Sequence, residues 1–441
     1  MKTGIFNNKH FKANAFNVFG NFVVKGANIV FVIYFAYIMT AAEFGKASTF
    51  MAYAAVLSAV IGLNLYSSLE GGKEFYKEEY RDYKSATLFL SIISTLVISV
   101  LGLIFVSPLS EILHLPKDSI VLLFVYSGCM SIYMFFHHEY ISAFDYMGSV
   151  SMSAFDIFFG FAMALVFINF VLPDKKVMAK ELGVTVPLVI IAIYVMVKTF
   201  ARGKHIASKE YWSFALAASV PNILYIVSQD VLAYSDRIFI VQLFGYKEVG
   251  IYSLVHYLGL FMTLLWSGTN GFWTPWIFEK LKNGQEDVIN KNLKKYLFSF
   301  SAGTVSMSAI LPFVIKYIMP PAYLGGVKII TPIVLSGFFM CLYSLMANLE
   351  FYHKKSRYIV LGTIAAAVGD IVLNAIFIPL YGFEAAAYTT LAGSVLLFAF
   401  HFFVANNLLK INVYKKAPFV LSIAVTCALC AAMDILWLFY M

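Results

Sequence analysis

Thirteen apolar runs follow one another along this chain, each close to the length a helix needs to cross the roughly 30 Å hydrocarbon core of a bilayer. They are expected near 14–39, 46–69, 85–107, 119–138, 150–172, 184–200, 213–243, 249–273, 296–317, 329–352, 358–379, 385–407 and 418–440. In hydrocarbon every backbone N–H and C=O must be satisfied within the protein, so runs of this length fold as helices. Composition agrees: 61% of residues are hydrophobic and 13% charged, against about 25% charged in a soluble domain. The expectation is an all-α polytopic membrane protein. The seventh run is over-long and holds Pro221 early, which predicts a kink or a partly interfacial stretch. Lys2, Lys9 and Lys12 precede the first run without a small-residue cleavage site, so the first helix is expected to stay.

Charge sets the orientation. With the N-terminus cytoplasmic, the cytoplasmic loops carry 22 of the 32 Lys and Arg, the opposite side carries eight, and Lys25 and Arg237 lie within spans. This is the positive-inside bias. It also accounts for most of the net charge of +8, so no nucleic-acid partner is implied. The loops are too short for an independent catalytic domain, and no Walker A motif, phosphate loop or nucleophile elbow occurs. The chain is therefore not expected to be an enzyme. Cys129, Cys341, Cys427 and Cys430 all lie in apolar runs, which argues against a disulfide framework, and no metal site is expected. His137-His138-Glu139 is read as a helix end, because consecutive helical residues point about 100° apart.

Glu43-Phe44-Gly45-Lys46-Ala47-Ser48 reads E-x-G-x-x-S, and Glu248-Val249-Gly250-Ile251-Tyr252-Ser253 repeats it 205 positions later. Asn169 to Pro173 and Asn374 to Pro379 form a weaker echo. Equal motifs at equal turns predict two six-helix lobes in parallel repeat, 1–205 and 206–410, around a central cavity. The segment 411–441 would be an accessory thirteenth span.

Charges at membrane depth are costly and hence functional candidates. They are Lys25, Asp156, Asp230, Asp236, Arg237 and Asp370. Asn14, Asn17, Asn21, Lys25 and Asn28 fall within roughly 80° of one helical face, so that face meets protein or water rather than lipid. Asp236 and Arg237 lie about 100° apart, so one is expected to line a cavity while the other faces packed helices; a structural ion pair is the alternative. Asp370 and Asn374 share a face at i and i+4. Interhelical packing is the competing account of Asp156 and Asp370. Lys316 and Glu350 are expected near span ends, where they can snorkel.

Ser235 to Gly259, "SDRIFIVQLFGYKEVGIYSLVHYLG", resembles the signature of bacterial polysaccharide flippases in the multidrug/oligosaccharidyl-lipid/polysaccharide exporter superfamily. Leu373 to Leu391, "LNAIFIPLYGFEAAAYTTL", is similar to that family's later motif; "EFGKAS" and Lys25-Gly26 also fit. The resemblance implies a carrier of undecaprenyl-diphosphate-linked oligosaccharide, moving it from the cytoplasmic to the periplasmic leaflet of the bacterial inner membrane by ion-coupled alternating access. It implies Lys25 and Arg237 as basic substrate positions and Asp236 and Asp370 as ion-coupling or structural acids. On the residues themselves, Asn17, Asn21 and Asn28 extend the Lys25 face as one wall of a hydrated substrate cavity, and Asp156 and Asp230 join the candidate acids. It implies no cofactor beyond a proton or sodium gradient. The implied partners are the lipid-linked substrate, membrane lipids, a polysaccharide polymerase and a chain-length regulator. No Tyr-Gly-x-x-Ala-Ala element follows Pro173, a departure from the pattern in the first half. A cation-coupled multidrug exporter of the same superfamily is the alternative, although Lys25 suits an anionic cargo better than a cationic drug.

Overall fold

The structure, a computed structural model, describes residues 8–143 and 145–440, with side chains for 19–143 and 145–437. Its helices are α1 (Asn8–Ile38), α2 (Ala41–Ile61), α3 (Leu69–Tyr76), α4 (Tyr80–Ile104), α5 (Val106–Ile112), α6 (Lys117–Ser142), α7 (Tyr146–Ala154), α8 (Gly160–Val166), α9 (Lys176–Phe200), α10 (Lys209–Leu243), α11 (Tyr246–Lys282), α12 (Glu286–Tyr317), α13 (Ile330–Tyr352), α14 (Ser356–Tyr381), α15 (Ala385–Phe403) and α16 (Lys416–Tyr440). Among the described residues, thirteen helical segments are long and apolar enough to cross a membrane, as the apolar runs predict. Pro221 lies inside α10, which runs through it uninterrupted.

Two irregularities mark the helices, the first between the span candidates Ala41–Ile61 and Leu65–Ile104. After α2 the chain passes through Leu63 and Asn64 at φ 54° and 50°, then a 3-10 turn over Leu65–Ser68. Breaking a helix frees carbonyls, and hydroxyls from a neighbouring helix can satisfy them. Ser94 Oγ donates to Ile61 O at 2.9 Å and Ser91 Oγ to Gly62 O at 3.3 Å. The second irregularity is a set of π-helical turns: Phe155–Phe159 between α7 and α8, Phe167–Val171 after α8, and Val404–Leu408 after α15.

The chain divides into two compact units, Met1–Val24 with Lys46–Tyr234, and Lys25–Gly45 with Ser235–Met441. The division falls inside α10, so Asp230 belongs to the first unit and Asp236 to the second. In the first unit α6 packs on α4 and α9, and α8 lies along α9. Tyr76, Tyr83 and Tyr211 form an aromatic cluster: Tyr76 stacks on Tyr83 at 4.8 Å and meets Tyr211 edge-on at 4.8 Å. Tyr83 donates to Ser68 Oγ at 2.6 Å, and Tyr211 to Glu79 at 2.9 Å, so these two hydroxyls are paired. Lys84 beside them meets Glu139 at 2.9 Å.

In the second unit α13 and α14 both pack on α15, α11 on α13, and α16 along α12. The thirteenth span is thus a true helix of this unit. Its Asp434 accepts from Thr331 Oγ1 at 2.5 Å, and its Ser422 meets Ser301 at 2.7 Å.

The first E-x-G-x-x-S motif takes its local form from capping. Thr40 Oγ1 accepts from Glu43 N at 3.2 Å while Glu43 Oε2 accepts from Thr40 N at 2.8 Å, a reciprocal capping box at the start of α2. The glycines of the two motifs then meet. A Cβ on Gly45 would lie 1.8 Å from Tyr246 O and 2.7 Å from Gly250 N, and one on Gly250 would lie 1.9 Å from Ala41 O. Small residues allow backbones to approach this closely in a membrane. Gly45→Val is therefore expected to abolish recovery of monodisperse protein, measured by size-exclusion chromatography after detergent extraction, whereas Lys46→Ala is expected to leave it intact. Normal recovery of Gly45→Val would contradict this close approach.

A buried polar cluster in the second unit

Four helices bring polar side chains together in an otherwise apolar interior. Ser235, Asp236 and Arg237 come from α10, Asp370 and Asn374 from α14, and Thr389 and Thr390 from α15; Tyr252 and Ser253 of α11 complete the group. The local reason is periodicity. Asp370 and Asn374, four apart on one face of α14, bond to each other, Asn374 Nδ2 donating to Asp370 Oδ2 at 3.0 Å. The same oxygen accepts from Ser235 Oγ at 2.5 Å, and Asn374 Nδ2 also donates to Ser235 Oγ at 3.1 Å. Thr389 Oγ1 bonds to Asn374 Oδ1.

Asp236 and Arg237 occupy the adjoining half of the cluster. Asp236 Oδ1 accepts from the Arg237 backbone N–H at 2.7 Å and lies 3.5 Å from Arg237 Nη1. Asp236 Oδ2 accepts from the Tyr252 hydroxyl, which lies 3.1 Å from Thr390 Oγ1. Arg237 Nε donates to Ser253 Oγ at 3.1 Å, and its guanidinium lies over the rings of Tyr252 and Tyr257 at 5.9 and 5.6 Å. Asp236 and Arg237 are 2% and 1% exposed. Adjacency on the helix thus does not send them to different surroundings, because the long arginine side chain folds back to its neighbour. Both are interior groups of one unit.

The charges in this cluster do not cancel. Asp236 has Arg237 beside it, while Asp370, 2% exposed, has two neutral donors and no basic partner among the described residues. An ionised carboxylate in such a place is costly without a compensating positive charge. The oxygens of Asp370, Ser235, Asn374 and Thr389 are hard donors of the kind that hold a proton or a small alkali cation.

The remaining candidate residues are spread out. Lys25 and Asn28 are exposed on α1 and Asn21 is half-buried; Asn14 and Asn17 lie outside the described side chains. Asp156 sits in the π-helical turn after α7, and Asp230 is half-buried on α10. Asn169, the sequence counterpart of Asn374, is exposed and donates to Leu165 O of its own helix at 2.8 Å, so the echo does not extend to a second polar cluster there. His137 and His138 point apart, one stacked with Tyr133 at 5.8 Å and the other against Tyr66 at 4.8 Å, while Glu139 turns to Lys84. Glu350 does not snorkel as expected: it is 0% exposed and paired with His401 at 2.8 Å. Sequence reasoning missed His401, Tyr252 and Ser235. The last two lie inside quoted motifs, and their polarity was the available signal.

Over residues 12–280 the chain matches the family described as polysaccharide biosynthesis protein. No curated protein matches it by sequence. Among solved structures it is similar to lipid II flippase MurJ in an inward closed conformation, at 14% identity and TM-score 0.72, covering 96% of this chain and 93% of that one. It is also similar to an inward-facing multidrug resistance MATE family transporter of the MOP superfamily, at 11% identity and TM-score 0.63, covering 92% and 95%. Identities this low speak to the fold. The family match spans more than half of the chain: this multi-pass membrane protein belongs to the polysaccharide biosynthesis protein family and has the fold seen in lipid II flippase MurJ and the MATE transporters.

Proposed function

We propose that the protein is a flippase that moves undecaprenyl-diphosphate-linked oligosaccharide from the cytoplasmic to the periplasmic leaflet of the bacterial inner membrane. A proton or sodium gradient drives alternating access through the Asp236–Asp370 cluster. The observation that carries the coupling is the uncompensated Asp370 carboxylate among hydroxyl and amide oxygens. A cation that enters this site in one conformation and leaves it in another shifts the equilibrium between them by its differential affinity. Family membership and the MurJ-like fold support a lipid-linked glycan as cargo.

Lys25, exposed on α1, is the residue assigned to the diphosphate, as a point charge that hydrogen-bonds phosphate oxygens. Asn21 and Asn28 on the same helix offer amide contacts to sugar hydroxyls. Arg237 has its guanidinium engaged with Asp236, Ser253 and two rings, so its role here is to hold Asp236 in place. A polymerase and a chain-length regulator would then act on the delivered product.

Reconstitution into liposomes with a fluorescent lipid-diphosphate oligosaccharide tests this. Lys25→Ala is expected to lower the initial flipping rate by about tenfold or more, the scale of one charge-assisted contact, with Lys25→Arg retaining most of it. Unchanged flipping by Lys25→Ala would remove the residue from the substrate site. Efflux of a cationic dye with no flipping by the wild type would replace this function with the multidrug exporter.

A further inference from the structure

A second pair of titratable groups lies in the same unit, apart from the cluster above. Glu350 in the last turn of α13 and His401 near the end of α15 are both 0% exposed. His401 Nδ1 lies 2.8 and 3.0 Å from the two Glu350 oxygens. On the other side of the ring Nε2 is buried and has no hydrogen-bond partner among the described residues. The facing residue on α14 is Gly362, where a Cβ would lie 2.4 Å from Nε2, so a side chain there would press on the ring. Of the elements packed around the pair, α13 also presents Tyr343, with its ring 4.8 Å from that of His401. The nearest charged residues along α14 are Arg357 in its first turn and Asp370, eight residues beyond Gly362 and about 12 Å along the helix.

We infer that Glu350 and His401 form a proton-binding site. A buried carboxylate on the Nδ1 side fixes that nitrogen as the donor, so Nε2 carries the free lone pair. With Nε2 unprotonated the pair holds one negative charge in an apolar interior. A proton delivered to Nε2 makes the imidazolium, and the pair becomes electrically balanced. The two states differ by one full charge where charge is least screened, and histidine is the side chain suited to such an exchange near neutral pH. The bond formed is N–H at Nε2, the donor is water-borne hydronium, and the leaving species is water. Proton binding here does not depend on what the protein transports, and its test stands apart from the flipping assay.

The test is nuclear magnetic resonance of the full-length protein in lipid nanodiscs, with ¹⁵N-labelled histidine, titrated between about pH 5 and about pH 8.5. One ring is expected to convert from neutral to imidazolium with its Nδ1 hydrogen-bonded throughout, and that signal is expected to be absent from His401→Gln. Glu350→Gln, which keeps size and shape, is expected to alter the response of that same ring. If His401→Gln fails to fold, the change caused by Glu350→Gln identifies the ring instead. A titration series in which no histidine responds to Glu350→Gln, or in which the His401 ring keeps one protonation state over the whole range, overturns the site.

Discussion

Asp370→Asn is expected to leave the protein folded and able to bind its cargo, yet to uncouple it from the ion gradient. Asparagine keeps the shape of the side chain and can still accept from Ser235 and from Asn374, the two donors that now meet Asp370 Oδ2. What it removes is the negative charge in the cluster that has no basic partner among the described residues. In the flipping assay, coupling of about 1–3 kcal/mol corresponds to a stimulation of roughly 5- to 150-fold by the driving gradient. For Asp370→Asn the rate with the gradient is expected to equal the rate without it. The same comparison made with separate proton and sodium gradients identifies the ion. Gradient stimulation that persists undiminished in the variant would place coupling elsewhere in the molecule.

The second large effect concerns stability. Arg237→Ala leaves Asp236 buried with the Tyr252 hydroxyl and one backbone N–H as its donors, and removes the cation that balances it. Breaking a buried pair from one side costs about 3–5 kcal/mol. Arg237→Ala is therefore expected to be the least heat-stable of the single variants in this cluster, read as loss of monodisperse protein after heating in detergent. The charge-free double variant Asp236→Asn/Arg237→Ala, compared with its two single variants, is expected to recover a substantial part of that loss, because neither uncompensated charge remains. Such a cycle isolates the interaction from the loss of packing. If the double variant is as unstable as the sum of its parts, the two residues act independently and the ion pair is not a coupled unit.

The spans were legible because bilayer thickness sets the length of an apolar run, and that signal survives any detail of packing. The Asp370–Asn374 pair was legible because its partners lie four residues apart on one helix. Partners brought by other helices leave no such mark. Ser235 reaches Asp370 across 135 residues, and Glu350 meets His401 across 51. A single histidine in an apolar run gives no hint of an acid that distant, and the position of Glu350 close to a run's end points toward water instead. The angular rule separated Asp236 from Arg237 because it describes where a Cβ points. A flexible side chain with several rotatable bonds can return to a neighbour about 100° away. The break at Leu63–Asn64 was also hidden, since neither residue is glycine or proline.

The π-helical turns at Phe155–Phe159, Phe167–Val171 and Val404–Leu408 carry a consequence for how such a chain can change length. An i→i+5 turn holds one residue more than the α-turn it replaces. Loss of a single codon elsewhere in a span would rotate every following side chain by about 100° and turn its packed face outward. At these three places the surplus residue can go, the turn relaxing to α while the face beyond it keeps its direction. They are the points at which the reading frame of the helix, as distinct from that of the gene, has slack.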